Sequence, residues 1–413
     1  MRSAPASAPD EASALVHGFD PERLPEFFFA DPYPTYAALR SRSPLHPCPD
    51  GSYFLTRYGD LDAVYRDRGH FSADKKAVFG PKFGAGTPLY AHHTTSLVFN
   101  DPPYHTRVRR QIVGALAPGA VRAMVPGLAA LIGRLCDAAA ARGRFDLIED
   151  FAAAIPVEVI GNLLGVPRDE RGPLRGWSLA ILGALDPAPS PAALERGHRS
   201  VTEFLDFTRV LVADRRRHLS GDNDLLSRLI RDETGGEPLS EHELLHNCIF
   251  LLNAGHETTT NLIGNGLYLM LSRPEARELL AEHPELVERA VEECLRYESP
   301  NQLGNRMVVE AVEIGGRRFE AGTYLTLCIG AANRDPAEFA NPNHFDIRRE
   351  PNRHLAFGAG SHACAGMSVA RLEGQMAIAE FLRRLPHARL LDGAVRNRRA
   401  RFRGFATVPV AVE

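Results

Sequence analysis

Apolar positions recur along most of this chain at steps of three and four. That spacing predicts helices over residues 32–42, 61–66, 104–116, 121–142, 151–164, 192–219, 241–272 and 285–297. Val369, Leu372, Met376, Ala379 and Leu382 continue the pattern as the stripe of one more helix packed on a core. Alternating runs are fewer and shorter, and 51–57, 308–314, 317–319, 324–329 and 405–412 read as strands. Two stretches, 72–100 and 341–360, carry glycines and prolines without a clear period and are expected to be irregular; loops of such length are usually functional or mobile. The pattern is that of a mainly α chain with small β-sheets (α+β), with one domain over 19–413 behind a Pro-rich lead-in, 1–18, expected to be disordered.

Composition narrows the picture only slightly. A hydrophobic fraction of 44% and a charged fraction of 24% are ordinary for a globular chain, and a net charge of −3 argues against a nucleic-acid partner. The six cysteines are widely spaced, with no Cys-x-x-Cys pair and no disulfide framework, which implies a reducing, cytoplasmic compartment. The single candidate membrane span, 248–272, is interrupted by Asn253, His256, Glu257, three threonines, Asn261 and Asn265; a helix buried in protein is expected there, and no membrane partner.

One run stands apart. FGAGSHACAG, residues 357–366, sets Cys364 among glycines just before the last predicted helix. The helix dipole and unpaired N–H groups at such a position favour a thiolate, so the residue reads as a metal ligand; the alternative is a buried free cysteine after a tight turn. Gly358, Gly360 and Gly366 allow the backbone to lie against a flat object, and a planar macrocycle would fit. In the middle of helix 241–272, AGHETT places Ala254 and Gly255, then the acid Glu257, then the hydroxyl of Thr258. A threonine there can bond the carbonyl one turn back, at Ala254, and open a small groove; the alternative is a satisfied core threonine beside a solvent-facing acid.

The run from Phe357 to Gly366 resembles the cysteine-ligand loop of the cytochrome P450 family, matching Phe357, Gly358, Gly360, His362, Cys364 and Gly366, and the resemblance extends over about 20–410. ANRDP at 332–336 and HLAFG at 354–358 are similar to family sequence too. The resemblance implies the cytochrome P450 fold and haem b (iron protoporphyrin IX), with Cys364 as the axial ligand of the iron. It implies that Thr258 and Glu257 stand at the alcohol and acid positions of the oxygen-binding segment, beside Ala254 and Gly255, with the acid connecting to solvent for proton delivery. Glu293 and Arg296 match the family's Glu-x-x-Arg pair, completed by Arg349, with Arg348 as the neighbouring register; their role is structural. His105, Arg109, Arg306 and His354 match partners of the haem propionates.

The implied reaction is insertion of one oxygen atom of O2 into a small or medium-sized, mostly apolar organic substrate, by hydroxylation or oxidative dealkylation. A peroxide-dependent haem peroxygenase and a haem sensor or carrier are the rivals, and neither needs Glu257 and Thr258. No nicotinamide or flavin motif appears, so electrons are expected from a ferredoxin or flavodoxin with its NAD(P)H-dependent reductase, steered by Arg107, Arg110, Arg353 and Arg371. Asn253 and Asn301 are expected to contact a polar group of the substrate, and Lys75, Lys76 and Lys82 are candidates to pair an acid group, against the alternative of a solvated loop.

Overall fold

A 31-residue helix, Glu241–Leu271, organises the computed structural model, which describes residues 11–218, 225–231 and 238–412. A capping box fixes its start: Ser240 Oγ accepts the Glu243 N–H at 3.3 Å and Glu243 Oε2 accepts the Ser240 N–H at 2.8 Å. Its first half sends Leu244, Ile249 and Leu252 into a core shared with Ile181 of helix Leu174–Gly183 and Phe204 of helix Pro191–Arg217. Its second half sends Leu262, Ile263 and Leu267 into another, with Ile132 of helix Pro118–Arg142 and Phe381 of helix Met367–Arg384. Burial on most sides explains why apolar residues are not confined to one stripe of this helix, and its buried asparagines, histidines and threonines are polar exceptions within it.

Among the described residues the helix long and apolar enough to cross a membrane is instead Pro118–Arg142, whose charges are sparse. Leu128, Leu131 and Ile132 turn its apolar stripe into the core beside Met367–Arg384.

The largest sheet has five strands in the order Leu45–Pro47, Tyr53–Leu55, Tyr324–Cys328, Leu303–Val308 and Phe71–Ser72, parallel only where Tyr53–Leu55 meets Tyr324–Cys328. The predicted strand 308–314 divides into Leu303–Val308 and Val312–Ile314, because the chain turns at the exposed Val309. The run 405–412 divides too. Phe405–Thr407 pairs with Val395–Arg396, whereas Pro409–Ala411 pairs with Arg144–Asp146 and Arg389–Leu390.

Two irregular expectations are overturned. Within 72–100 the chain forms helices Lys76–Phe83 and Pro88–Thr95 and the 3-10 turn Leu97–Phe99. Thr87 caps the second helix and Pro88 occupies its first position, where a missing N–H costs nothing. The rings of Phe79, Phe83, His93 and Phe99 then pack at centroid distances of 5.0 to 5.6 Å. In the expected lead-in, 1–10 lies outside the described residues, while Glu11–His17 is a helix held by Val16 against the Phe19, Phe28 and Tyr36 cluster.

The stretch 341–360 has no helix or strand, so its backbone polar groups need other partners. Arg296, fully buried on helix Val287–Tyr297, donates to the carbonyls of Asn333 at 2.9 Å, Pro342 at 2.8 Å and His344 at 3.2 Å. Glu293, also fully buried, accepts from Arg296 at 2.7 and 2.8 Å, from Arg349 Nε at 3.1 Å, from the Asp346 N–H at 2.9 Å and from Asn352 at 3.2 Å. Arg349, rather than Arg348, reaches the carboxylate; Arg348 pairs with Asp346 at the surface.

Because removing one member leaves a buried charge unpaired, Arg296→Met is expected to cost about 3–5 kcal/mol in urea unfolding. Arg348→Ala, at an exposed pair, should change stability by no more than about 0.5 kcal/mol in the same measurement.

Candidate active site

Helix Met367–Arg384 begins after a loop whose geometry is set by two glycines. Gly358 and Gly360 lie at φ +65° and +67°, a region that favours glycine, and a Cβ on Gly360 would overlap the Tyr65 carbonyl. Gly366 differs. Its φ is −93°, and nothing lies within 4 Å of where a Cβ would stand, so its bareness leaves room on a cavity wall. The loop is closed by the Cys364 N–H donating to the Phe357 carbonyl at 2.9 Å.

Of the six cysteines, Cys364 alone is exposed, and what it is exposed to is an internal cavity of about 350 Å³. Burial within the fold raises its thiol pKa, outweighing the Gly366 N–H, Arg109 and Arg371, which favour the thiolate. The helix start therefore does not by itself ionise this thiol, whereas coordination to a metal would do so outright.

Helix Glu241–Leu271 forms the opposite wall, with Ala254, Gly255 and Thr258. A side chain at Gly255 would run into Ile160, which is why the position is bare. The Thr258 hydroxyl donates to the Ala254 carbonyl at 2.9 Å. Glu257 points away from the cavity, is 3% exposed, and pairs through Oε1 with Arg399, leaving Oε2 without a partner. Burial pushes its pKa up to about 7, against the pull of Arg399.

Along the edge, four cationic or imidazole groups converge. His105 and His362 stack at 3.9 Å between ring centroids, and Arg109 and Arg306 line the same cavity. Burial, reinforced by Arg109, lowers His105 to about 4; burial, reinforced by Arg306, His105, Arg109 and Lys75, lowers His362 to about 2. Among the described residues both ring nitrogens of His105 are buried without partners, and Arg306 donates to its neighbour's carbonyl at 2.8 Å while lying 5.2 Å from the Tyr65 ring. Among the described residues no carboxylate forms an ion pair with Arg109 or Arg306. Such an assembly fits a flat ligand that carries its own carboxylates and takes one sulfur ligand from the protein.

His354 does not belong to that edge. Its Nε2 lies 3.2 Å from Glu292, and its Nδ1 accepts the Ala356 N–H at 3.3 Å. His362, read from sequence only as part of the cysteine loop, occupies the edge instead. Both substrate candidates line the cavity, but Asn253 accepts from Ser178 at 2.8 Å and meets His92 at 3.5 Å, whereas Asn301 Oδ1 has no partner among the described residues.

The arginine patch is smaller than expected, since Arg107 pairs with Glu243 and Arg371 with Glu292; Arg110 and Arg353 stay exposed. Lys76 is a surface residue paired with Asp74, Lys82 donates to the Asp186 carbonyl, and Lys75 is buried against the cavity. Arg399 and Arg401 were not legible in advance, because RNRRARFRG reads as a solvated basic run.

With this geometry in view, comparison with known proteins is direct. The Cytochrome P450 family model matches residues 181–409, more than half of the chain. The chain is 35% identical over 403 residues to the biotin biosynthesis cytochrome P450 of Bacillus subtilis (strain 168), covering 94% of this chain and 97% of the relative. It is 38% identical over 371 residues to cytochrome P450 monooxygenase PikC of Streptomyces venezuelae, covering 88% and 86%. Among solved structures, P450BioI in complex with hexadec-9Z-enoic acid ligated acyl carrier protein superposes with a TM-score of 0.89 at 34% identity, covering 94% of this chain and all of that one.

The Glu257–Arg399 pair makes a pH-dependent expectation. A carboxyl raised to about 7 in the folded protein contributes stability at low pH that is lost as pH rises through that value. Without Arg399 the ionised acid has no counter-charge. Arg399→Gln should therefore show a stability deficit in urea unfolding that is small well below pH 7 and grows toward about 3–5 kcal/mol well above it. A deficit constant across that range would count against the pairing.

Proposed function

This chain belongs to the cytochrome P450 family of haem b monooxygenases, and on that premise we propose the role of each residue at the site. Cys364 is the protein's ligand to the haem iron, and Phe357, Gly358, Gly360, His362 and Gly366 shape the face on which the macrocycle rests. Arg109 and Arg306 meet its two propionates as counter-charges, and the neutral rings of His105 and His362 donate hydrogen bonds to them. His354 supports the loop through Glu292. Bound in this way, haem b supplies the iron chemistry by which one atom of O2 enters an organic substrate and the other leaves as water.

The remaining work falls to the chain. Thr258 Oγ1, tethered to the Ala254 carbonyl at 2.9 Å, holds a hydroxyl at the cavity wall opposite Cys364. Glu257, one residue earlier, holds a proton at its unpartnered Oε2, and a pKa near 7 lets it gain and release that proton at neutral pH. Arg399 orients this acid from behind the helix. The pocket around Thr258 is walled by Leu97, Ile160, Leu251 and Phe402, which exclude water and favour a mostly apolar substrate.

Electrons come from a separate ferredoxin or flavodoxin docking on the cysteine side, where Arg110 and Arg353 remain exposed. We place the protein in the cytoplasm as a soluble enzyme, with residues 19–413 as one catalytic domain.

The observation that carries this reading is a single cavity with the Cys364 thiol on one wall, Thr258 on the other and uncompensated cations around its edge. The reduced carbon monoxide adduct is expected to show the strongly red-shifted band of thiolate ligation, and Cys364→Ser to lose it. Retention of the band in that variant would overturn the ligand assignment. Glu257→Gln is expected to keep the band and lose on the order of 10²-fold in O2-dependent turnover with a ferredoxin system.

A further inference from the structure

Lys75 follows the strand Phe71–Ser72 and reaches the cavity from the segment that precedes helix Lys76–Phe83. It is 2% exposed, and its ammonium has no hydrogen-bond partner; its recorded contact is the Tyr324 ring, 4.8 Å from Nζ to the centroid. The acids nearest in charge are otherwise engaged. Asp101 accepts from Ser72 Oγ and from the Ala73 N–H at 2.8 Å, and Asp74 pairs with Lys76 at 2.6 Å.

Arg401 lines the same cavity from the C-terminal side. Its guanidinium donates to the Leu303 carbonyl at 2.9 Å and to Asn305 Oδ1, and its Nε has no partner. Among the described residues neither side chain forms an ion pair, and burial, then Arg306 and Arg401, depress the Lys75 ammonium. A buried, unpaired ammonium and a half-satisfied guanidinium lining one cavity are costly, and a carboxylate bound there would offset the cost.

We propose that Lys75 and Arg401 form a docking site for a carboxylate on the substrate, so that this chain takes an acid whose apolar body extends toward Cys364 and Thr258. The haem propionates are a second source of the same chemistry. They have His105, Arg109, Arg306 and His362 as donors, whereas Arg401 belongs to the segment whose next residue, Phe402, bridges to Asn301 in the substrate part of the cavity. The inference rests on the monooxygenase reading above and adds a substrate class to it.

The test is equilibrium binding to the haem-loaded protein, by calorimetry and by the spin-state shift of the ferric haem, for straight-chain alkanoates against the methyl esters and alcohols of equal length. The wild type is expected to bind the acids on the order of tenfold more tightly than the esters. Lys75→Met and Arg401→Gln should each erase that preference while leaving haem content and ester affinity unchanged. Lys75→Arg should restore it, and Lys76→Met, at the neighbouring surface pair, should leave it intact. Equal affinity of the wild type for acids and esters overturns the proposal. So does a Lys75→Met protein that keeps the preference, or one that instead loses haem, which would assign the ammonium to the cofactor's carboxylates. Absence of the red-shifted carbon monoxide band in the wild type would fail the family-level reading, and is separate from all of these outcomes.

Discussion

The site hangs on one buried carboxylate. Glu293 gathers Arg296, Arg349, Asn352 and the Asp346 N–H, while Arg296 holds the Pro342 and His344 carbonyls of a stretch that has no secondary structure of its own, and the Asn333 carbonyl before it. This irregular segment is pinned at Phe345, Ile347, Leu355 and Ala359, which are buried, and it leads directly into the loop that presents Cys364. The net worth of such an ion cluster to stability is small compared with its cost if broken. Its value is positional. It lets a flexible sequence hold one conformation beside a cavity.

The cavity itself is an electrostatic template. Arg109 and Arg306 converge on it beside the neutral rings of His105 and His362, and among the described residues neither guanidinium has a carboxylate in an ion pair, so an anionic cofactor would be favoured there. Whatever binds the folded form and not the unfolded chain adds its binding free energy to stability. The thiol follows the same logic: burial keeps it protonated, and metal coordination would convert it.

Legibility in the sequence followed the range of the interactions. Helices with a long apolar stripe, Glu241–Leu271 above all, could be read because periodicity is a local property. The cysteine loop could be read because its chemistry lies within ten consecutive residues. What failed was set by contacts between distant segments. Nothing in the spacing separates Arg348 from Arg349, or shows that His354 faces Glu292 while His362 faces the cavity. Helices Lys76–Phe83 and Pro88–Thr95 were hidden by prolines and glycines that here start and end helices or are overridden by ring packing. Arg399 and Arg401 resembled a solvated basic run because their partners, Glu257 and Asn305, lie about a hundred residues or more earlier.

That C-terminal segment carries a consequence for how such a protein diversifies. Arg399 holds the acid behind the central helix, and two residues later Arg401 and Phe402 face the ligand. On the roles proposed above, selectivity and proton supply share four neighbouring codons. A lineage that drifts here toward a new molecule also perturbs how efficiently its reducing equivalents end up in product, so adaptation at this turn moves along a trade-off rather than along either trait alone.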